Sequence, residues 1–154
     1  MKRNVLLAFL VAPLLFTACG KTNTECVPAT VASEKAAMVA YCTANNITYT
    51  EHASGILYEV MAPGLGVKPT LSNTVSVVYT GKLLNGTQFD ASANPVSLLL
   101  SGFIQGWQIG IPLINKGGRI KLVIPSSLAY GCKGEGSIAP NSPLYFEVTL
   151  TDVR

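Results

Sequence analysis

From Gly55 onward the chain alternates apolar and polar residues with period two, and one stretch of helical period interrupts the alternation. The apolar positions are Ile56, Tyr58 and Val60; Val75, Val77 and Tyr79; Val96, Leu98 and Leu100; Ile120, Leu122 and Ile124; and Leu144, Phe146, Val148 and Leu150. Successive side chains of a strand point to opposite faces, so each run predicts a strand with one apolar face. Pro63-Gly64, Asn85-Gly86 and Gly117-Gly118 supply turns between runs. Between Leu100 and Gly117, Ile104, Trp107 and Ile111 recur at i, i+3 and i+7 and share one helix face. Pro112 limits this helix, because it has no N–H and clashes with the preceding turn. One short helix among strands predicts an α+β fold, an antiparallel, strongly twisted sheet wrapped over the helix.

The 154 residues leave room for one domain and some extra. A hydrophobic content of 49% with 12% charge favours a packed core and opposes disorder. Thr30 to about Asn45 predicts an N-terminal helix. Thr30 or Ser33 can cap it, its Ala, Glu, Lys and Met favour it, and Asn45-Asn46 stops it. Tyr41 and Cys42 give this helix residues to pack on the main domain.

The first residues predict a targeting segment. Lys2 and Arg3 give a basic start, and Val5 to Phe16 is apolar but too short to span a bilayer. Phe16-Thr17-Ala18-Cys19 resembles a bacterial lipobox, with Phe16 where Leu is usual. That resemblance implies a signal peptide over residues 1–18 and lipidation of Cys19; the alternative is ordinary secretion with Cys19 free. A polar tether then covers 19–29, its ten residues to Pro28 reaching roughly 35 Å when extended. A helix and linker cover 30–54, and the main domain 55–154. Gly20 in place of Asp after the cysteine favours the outer membrane of a two-membrane bacterium, on the periplasmic side.

Without Lys2 and Arg3, the 11 basic side chains fall to 9 against 8 acidic ones, so the basic balance belongs largely to the leader. It gives no case for nucleic acid. An exported chain can hold a disulfide. Closing the short segment between Cys26 and Cys42 would stabilise by about 3 kcal/mol for a loop of about 15 residues; the other reading is two unpaired small hydrophobes. No Cys-x-x-Cys or His spacing supports a metal site, and no cofactor motif is present.

An ordered aromatic set with one carboxylate runs through the predicted strands and helix: Tyr79 in V-Y-T-G, Phe89-Asp90 in G-T-Q-F-D, Trp107 in Q-G-W, Tyr130 in L-A-Y-G and Phe146 in L-Y-F-E-V. Such a set suits an apolar pocket and is poorly suited to proton transfer or metal chemistry. Taken singly, Tyr79, Ile104, Trp107 and Phe146 read as core, and Asp90 as a turn residue. Jointly they carry a resemblance. V-S-V-V-Y-T-G-K-L-L-N-G-T-Q-F-D, F-I-Q-G-W-Q, G-G-R-I-K-L-V-I-P-S-S-L-A-Y-G and I-A-P-N-S-P-L-Y-F-E-V-T-L follow the order and near spacing of an FKBP-type peptidyl-prolyl cis-trans isomerase domain, so residues 75–154 resemble that family in its bacterial lipoprotein form.

The resemblance implies an FKBP-like fold and an enzyme that rotates Xaa-Pro bonds during folding of exported or envelope proteins. It implies Xaa-Pro polypeptides as substrates and macrolide inhibitors as candidate ligands. Trp107 would floor the pocket, with Tyr79, Phe89 and Phe146 as walls and Val96, Phe103, Ile104 and Ile138 completing them. The Ile104 N–H and the Tyr130 hydroxyl would bind substrate carbonyls, and Asp90 would lie at the edge near Tyr79. The segment Ala91-Ser92-Ala93-Asn94 lacks the cation often found after the F-D pair, which makes Tyr79 the expected partner of Asp90. A non-catalytic proline-peptide-binding chaperone module is the first alternative function, and a structural envelope lipoprotein that merely keeps the fold is the second. Membrane contact would run through the lipid anchor, and nothing in the sequence sets the oligomeric state.

Overall fold

The computed structural model describes residues 25–154. The expected signal peptide, the lipidated Cys19 and the start of the tether lie outside the described residues. Helix α1 spans Val31–Ala44. Thr30 and Ser33 both cap it, as a reciprocal capping box in which each side chain bonds the other's backbone N–H. Asn45 closes it, followed by Asn46 in the left-handed region at φ 53.

Six strands follow: β1 (Thr50–Glu51), β2 (Leu57–Ala62), β3 (Thr74–Leu83), β4 (Gln88–Leu99), β5 (Arg119–Ile124) and β6 (Leu144–Val153). They form one antiparallel sheet in the order β1-β2-β5-β6-β3-β4. Helix α2 (Gln105–Gly110) lies between β4 and β5, with a 3-10 turn on each side. The expected α+β architecture is therefore present. Val75, Val77, Ile120, Leu122, Ile124, Leu144, Phe146, Val148 and Leu150 form the main core with Trp107 and Ile111. Gly106 and Gly110 set how closely α2 approaches β5. A Cβ at Gly106 would collide with Ile124, and one at Gly110 would come within 2.7 Å of Leu122.

The opposite sheet face is not wholly polar, contrary to the simple alternation. Leu57, Val123 and Tyr145 stand in the alternate phase, and the register places them side by side across β2, β5 and β6. Met38, Tyr41 and Cys42 of α1 cover this row, together with Ile47, and the Tyr41 and Tyr145 rings lie 5.3 Å apart. Full burial of such side chains is worth about 1.5–3 kcal/mol each, so the helix docks through a second core.

Strand β4 departs from the expected pattern too. Val96, Leu98 and Leu99 are exposed, because β4 is the sheet edge and pairs only with β3. Leu100 is fully buried but belongs to the following 3-10 turn. The register jumps between Val77↔Val96 and Tyr79↔Ser92, so β4 bulges across Ala93–Pro95. A bulge tolerates the missing N–H of Pro95.

The cysteines pair differently from the expected Cys26–Cys42 loop. Cys26 is bonded to Cys132, with Cα atoms 5.5 Å apart, and Cys42 is free and buried. Cys42 points into the second core, where burial raises its thiol pKa and leaves it a small hydrophobe. The last residues of the expected tether are likewise fastened to the domain: the Asn141 side chain donates to Val27 O at 2.9 Å and accepts from the Ala29 N–H at 3.0 Å. Among the described residues no helix is long and apolar enough to cross a membrane.

Candidate functional site

Strand register and the placement of α2 bring the aromatic set together. Gly81 on β3 is the pivot: it pairs with Phe146 on β6 and with Asp90 on β4. A Cβ at Gly81 would lie 2.7 Å from the Phe89 ring and 2.8 Å from the Phe146 ring, so a residue without a side chain is what lets both rings close over the strand. Tyr79 stands two residues before Gly81, and α2 brings Trp107 beneath. The Trp107 ring centroid lies 5.1 Å from those of Tyr79 and Phe146, both nearly perpendicular, and 4.8 Å from that of Phe103. Phe89 meets Phe146 edge-on at 5.5 Å. These edge-to-face contacts suit aromatic quadrupoles and fix the rings relative to one another.

Together they enclose a cavity of about 250 Å³, lined by Tyr79, Phe89, Asp90, Val96, Gly102, Phe103, Ile104, Trp107, Tyr130 and Phe146. Pockets for drug-sized ligands run to roughly 300–1,000 Å³, so this one fits a small apolar group with chain passing on either side. Every residue expected at the site lines it except Ile138. That side chain is buried in the same core as Trp107 and Phe146 but is not part of the lining, and its backbone is paired with that of Glu135. Gly102 is in the lining and was not expected; it carries no signal beyond its place next to Phe103.

The polar groups at the cavity are few. The Tyr79 hydroxyl donates to Asp90 Oδ2 at 2.5 Å. Burial first, and then this hydrogen bond, push the Tyr79 phenol up to about 12. Burial also raises Tyr130, helped by the negative charges of Glu135 and Asp90. Both phenols are therefore protonated donors at neutral pH. The Tyr130 hydroxyl has no protein partner among the described residues. The Ile104 N–H has no backbone acceptor there either; Ile104 is the N-cap of α2, and its carbonyl accepts from the Trp107 N–H. The Trp107 indole N–H is buried and unpartnered.

Among the described residues no thiol, amine or imidazole lines the cavity, and Asp90 is its one carboxylate. His52 lies elsewhere, bonded to Ser54. Among the described residues no group of three or more His, Cys, Asp or Glu side chains is arranged to hold a metal. The arrangement offers an aromatic surface with the Ile104 N–H and the Tyr130 hydroxyl unpartnered beside it, and the unpartnered Trp107 N–H buried below.

Residues 66–151 match the family model described as FKBP-type peptidyl-prolyl cis-trans isomerase. The chain belongs to this family. The FKBP-type peptidyl-prolyl cis-trans isomerase FkpA of Escherichia coli is 48% identical over 105 residues, which are 66% of this chain and 39% of that protein. The chain therefore spans about two fifths of the length of this curated relative. The crystal structure of FkpA from Escherichia coli superimposes with a TM-score of 0.72 at 41% identity, covering 80% of this chain and 61% of that one. A peptidyl-prolyl cis-trans isomerase from Pseudomonas syringae pv. tomato superimposes with a TM-score of 0.68 at 35% identity, covering 82% of this chain and 98% of that one. The matched FKBP-type segment contains every residue lining the cavity. Helix α1, β1, β2 and Cys26 lie outside it.

Proposed function

We propose that the cavity binds the proline ring of an Xaa-Pro segment and accelerates rotation about its peptide bond. The observation that carries this reading is the pairing of an aromatic-walled cavity with two unpartnered donors, the Ile104 N–H and the Tyr130 hydroxyl. The bond to be rotated has partial double-bond character and a barrier near 20 kcal/mol. Twisting it breaks the resonance and reduces charge separation between carbonyl and nitrogen, so the twisted amide is less polar than the planar one. A site shielded from water favours it over the planar form. In this mechanism Trp107 floors the ring, Tyr79, Phe89, Phe103 and Phe146 exclude water, and Val96 closes one side. The two donors hold carbonyls of the flanking chain while the bond turns. Asp90 holds the Tyr79 hydroxyl and places a negative charge at the rim. No nucleophile or general base takes part.

Xaa-Pro polypeptides are the proposed substrates, in exported or envelope proteins. The disulfide Cys26–Cys132 supports an oxidising compartment, and Phe16-Thr17-Ala18-Cys19 supports a lipid anchor on Cys19. Several acyl chains hold a protein firmly where one binds marginally. Acceleration of cis-to-trans exchange in an Xaa-Leu-Pro-Phe peptide tests the catalytic reading. An unaccelerated rate with retained peptide binding would leave a binding module in its place. Mass spectrometry of membrane-extracted protein tests the anchor, and an unmodified Cys19 thiol refutes it.

A further inference from the structure

We propose that the N-terminal segment from Cys26 to Glu34 is a strut that positions Tyr130, making Glu34 and the Cys26–Cys132 disulfide positioning elements for the isomerase reading on which this inference rests. Three separate contacts leave this segment, and all three land on the loop between β5 and β6 that carries Tyr130. The first is the disulfide, which fixes Cys132, two residues beyond Tyr130. The second is Asn141, held in the left-handed region at φ 55 with its amide bonded to Val27 O and the Ala29 N–H. The third is Glu34 in the first turn of α1. Its buried carboxylate accepts from the Ser126 N–H at 2.8 Å and from the Ser126 hydroxyl at 2.5 Å.

Each anchor connects to the backbone around Tyr130. The Ser126 carbonyl accepts from the Ala129 N–H at 3.0 Å and from the Gly131 N–H at 2.8 Å, the residues on either side of Tyr130. The Gly131 carbonyl accepts in turn from the Asn141 N–H at 2.8 Å. Glu34 thus holds Ser126, Ser126 holds both neighbours of Tyr130, and Asn141 closes the frame from the other end. A buried carboxylate needs several hydrogen bonds to offset its desolvation, and Ser126 supplies two of them from one residue. Tyr130 is itself only partly buried, and its hydroxyl has no protein partner among the described residues. Its position is set by the loop backbone together with its packing against the main core. A general consequence of positioned catalysis is that a displacement of about 1 Å costs up to about a hundredfold in rate. Cys26 and Glu34 lie outside residues 66–151, the segment matched by the family model.

The test uses the full chain and five variants: Glu34→Ala, Glu34→Gln, the double variant Cys26→Ser/Cys132→Ser, Tyr130→Phe, and Glu34→Ala combined with Tyr130→Phe. Glu34→Ala and the cysteine variant are expected to lower kcat on an Xaa-Pro peptide by about tenfold with KM little changed. Glu34→Gln recovers part of the rate, because its amide oxygen still accepts from Ser126. In the Tyr130→Phe background, Glu34→Ala costs no further rate, since its effect passes through a hydroxyl already absent. Amide hydrogen exchange gives a readout independent of activity. The Ala129 and Gly131 amides exchange faster in Glu34→Ala, while the β5 and β6 amides stay protected. Fully additive losses in the Tyr130→Phe background, unchanged exchange at Ala129 and Gly131, or a uniform rise across the sheet would each overturn the strut. A wild-type chain without isomerase activity would refute the functional reading alone, and the exchange pattern would still decide the strut.

Discussion

The Tyr79 hydroxyl donates to Asp90 Oδ2 at 2.5 Å, joining β3 to β4 at the rim of the cavity, where no cation among the described residues pairs with the carboxylate. The bond holds the Tyr79 ring edge-on to Trp107 and keeps the Asp90 charge at one place. Removing either partner frees the other. Hydrogen bonds to charged groups contribute about 1.5–3 kcal/mol, and the exposure of Asp90 places this one at the lower end. Asp90→Ala is expected to reduce kcat/KM for an Xaa-Pro peptide by about tenfold, with Tyr79→Phe close to it. The double variant should lose little more than Asp90→Ala alone, because both changes break one contact. Two independent losses that multiply would show that Asp90 acts apart from Tyr79.

Gly81→Ala tests the packing that builds the walls. The added methyl meets the Phe89 and Phe146 rings at 2.7 and 2.8 Å, and both are core-facing rings with little room to retreat. Overpacking of this kind costs about 1–3 kcal/mol. The expected result is a lower urea midpoint together with weaker peptide binding, since displaced rings narrow the cavity. Peptide affinity left at the wild-type value would show that the rings move without altering the walls.

Trp107 belongs at once to the core and to the cavity floor, with 3% of its surface exposed. Trp107→Ala should cost about 3–5 kcal/mol of stability and abolish acceleration of the peptide. Trp107→Phe separates the two roles. It keeps an aromatic floor while removing an indole N–H that has no partner among the described residues. It is expected to retain most of its activity and to lose less than half the stability lost by Trp107→Ala. Equal activity losses in the two variants would show that the indole itself is needed.

The strands were legible where one face alone meets the core. Val75 and Val77, Ile120 to Ile124 and Leu144 to Leu150 fall into place by alternation. Leu57, Val123 and Tyr145 were equally visible as apolar residues in the wrong phase, but only the register shows them aligned beneath α1. The edge strand misled, because Val96 and Leu98 have the spacing of core residues while a bulge at Ala93–Pro95 and an open edge leave them exposed. Most of the cavity lining was legible from ordered motifs. The cross-links were not. Cys26 and Cys132 are 106 residues apart, and no local spacing selects that pair over Cys26 and Cys42. Glu34 reads as an ordinary first-turn acid until the fold brings Ser126 to it.

Alkaline stability follows from the buried phenols. Burial and Asp90 raise Tyr79 to about 12, and burial with the Glu147 charge raises Tyr145 as well. A raised phenol favours the neutral form in the folded state, whereas the unfolded chain ionises near pH 10. The stabilisation is complete below about pH 10 and is lost as pH rises toward the folded values. Urea midpoints measured from pH 8 to pH 12 should fall mainly above about pH 10, and Tyr79→Phe should flatten that fall. Isomerase activity should show no loss from Tyr79 ionisation below about pH 10. A midpoint falling steadily from pH 8 would assign alkaline unfolding to other groups.

The disulfide encloses α1 and every strand except β6 in one covalent loop. Chain-entropy arguments give about 4.7 kcal/mol for a loop of about 100 residues, and native disulfides commonly deliver about 2–5 kcal/mol. Among the described residues Cys42 is the one other cysteine, and it is too deeply buried to offer a ready substitute partner. The Cys26→Ser/Cys132→Ser variant should therefore unfold at lower urea by this amount. Wild-type protein treated with a reductant should match it, while the variant itself stays unchanged under the same reductant. The second core of Met38, Tyr41, Leu57, Val123 and Tyr145 does not depend on the bond, so helix α1 should remain in the folded state of the variant. Loss of α1 helicity by circular dichroism before the main transition would show instead that the disulfide, and not this core, holds the helix on the sheet.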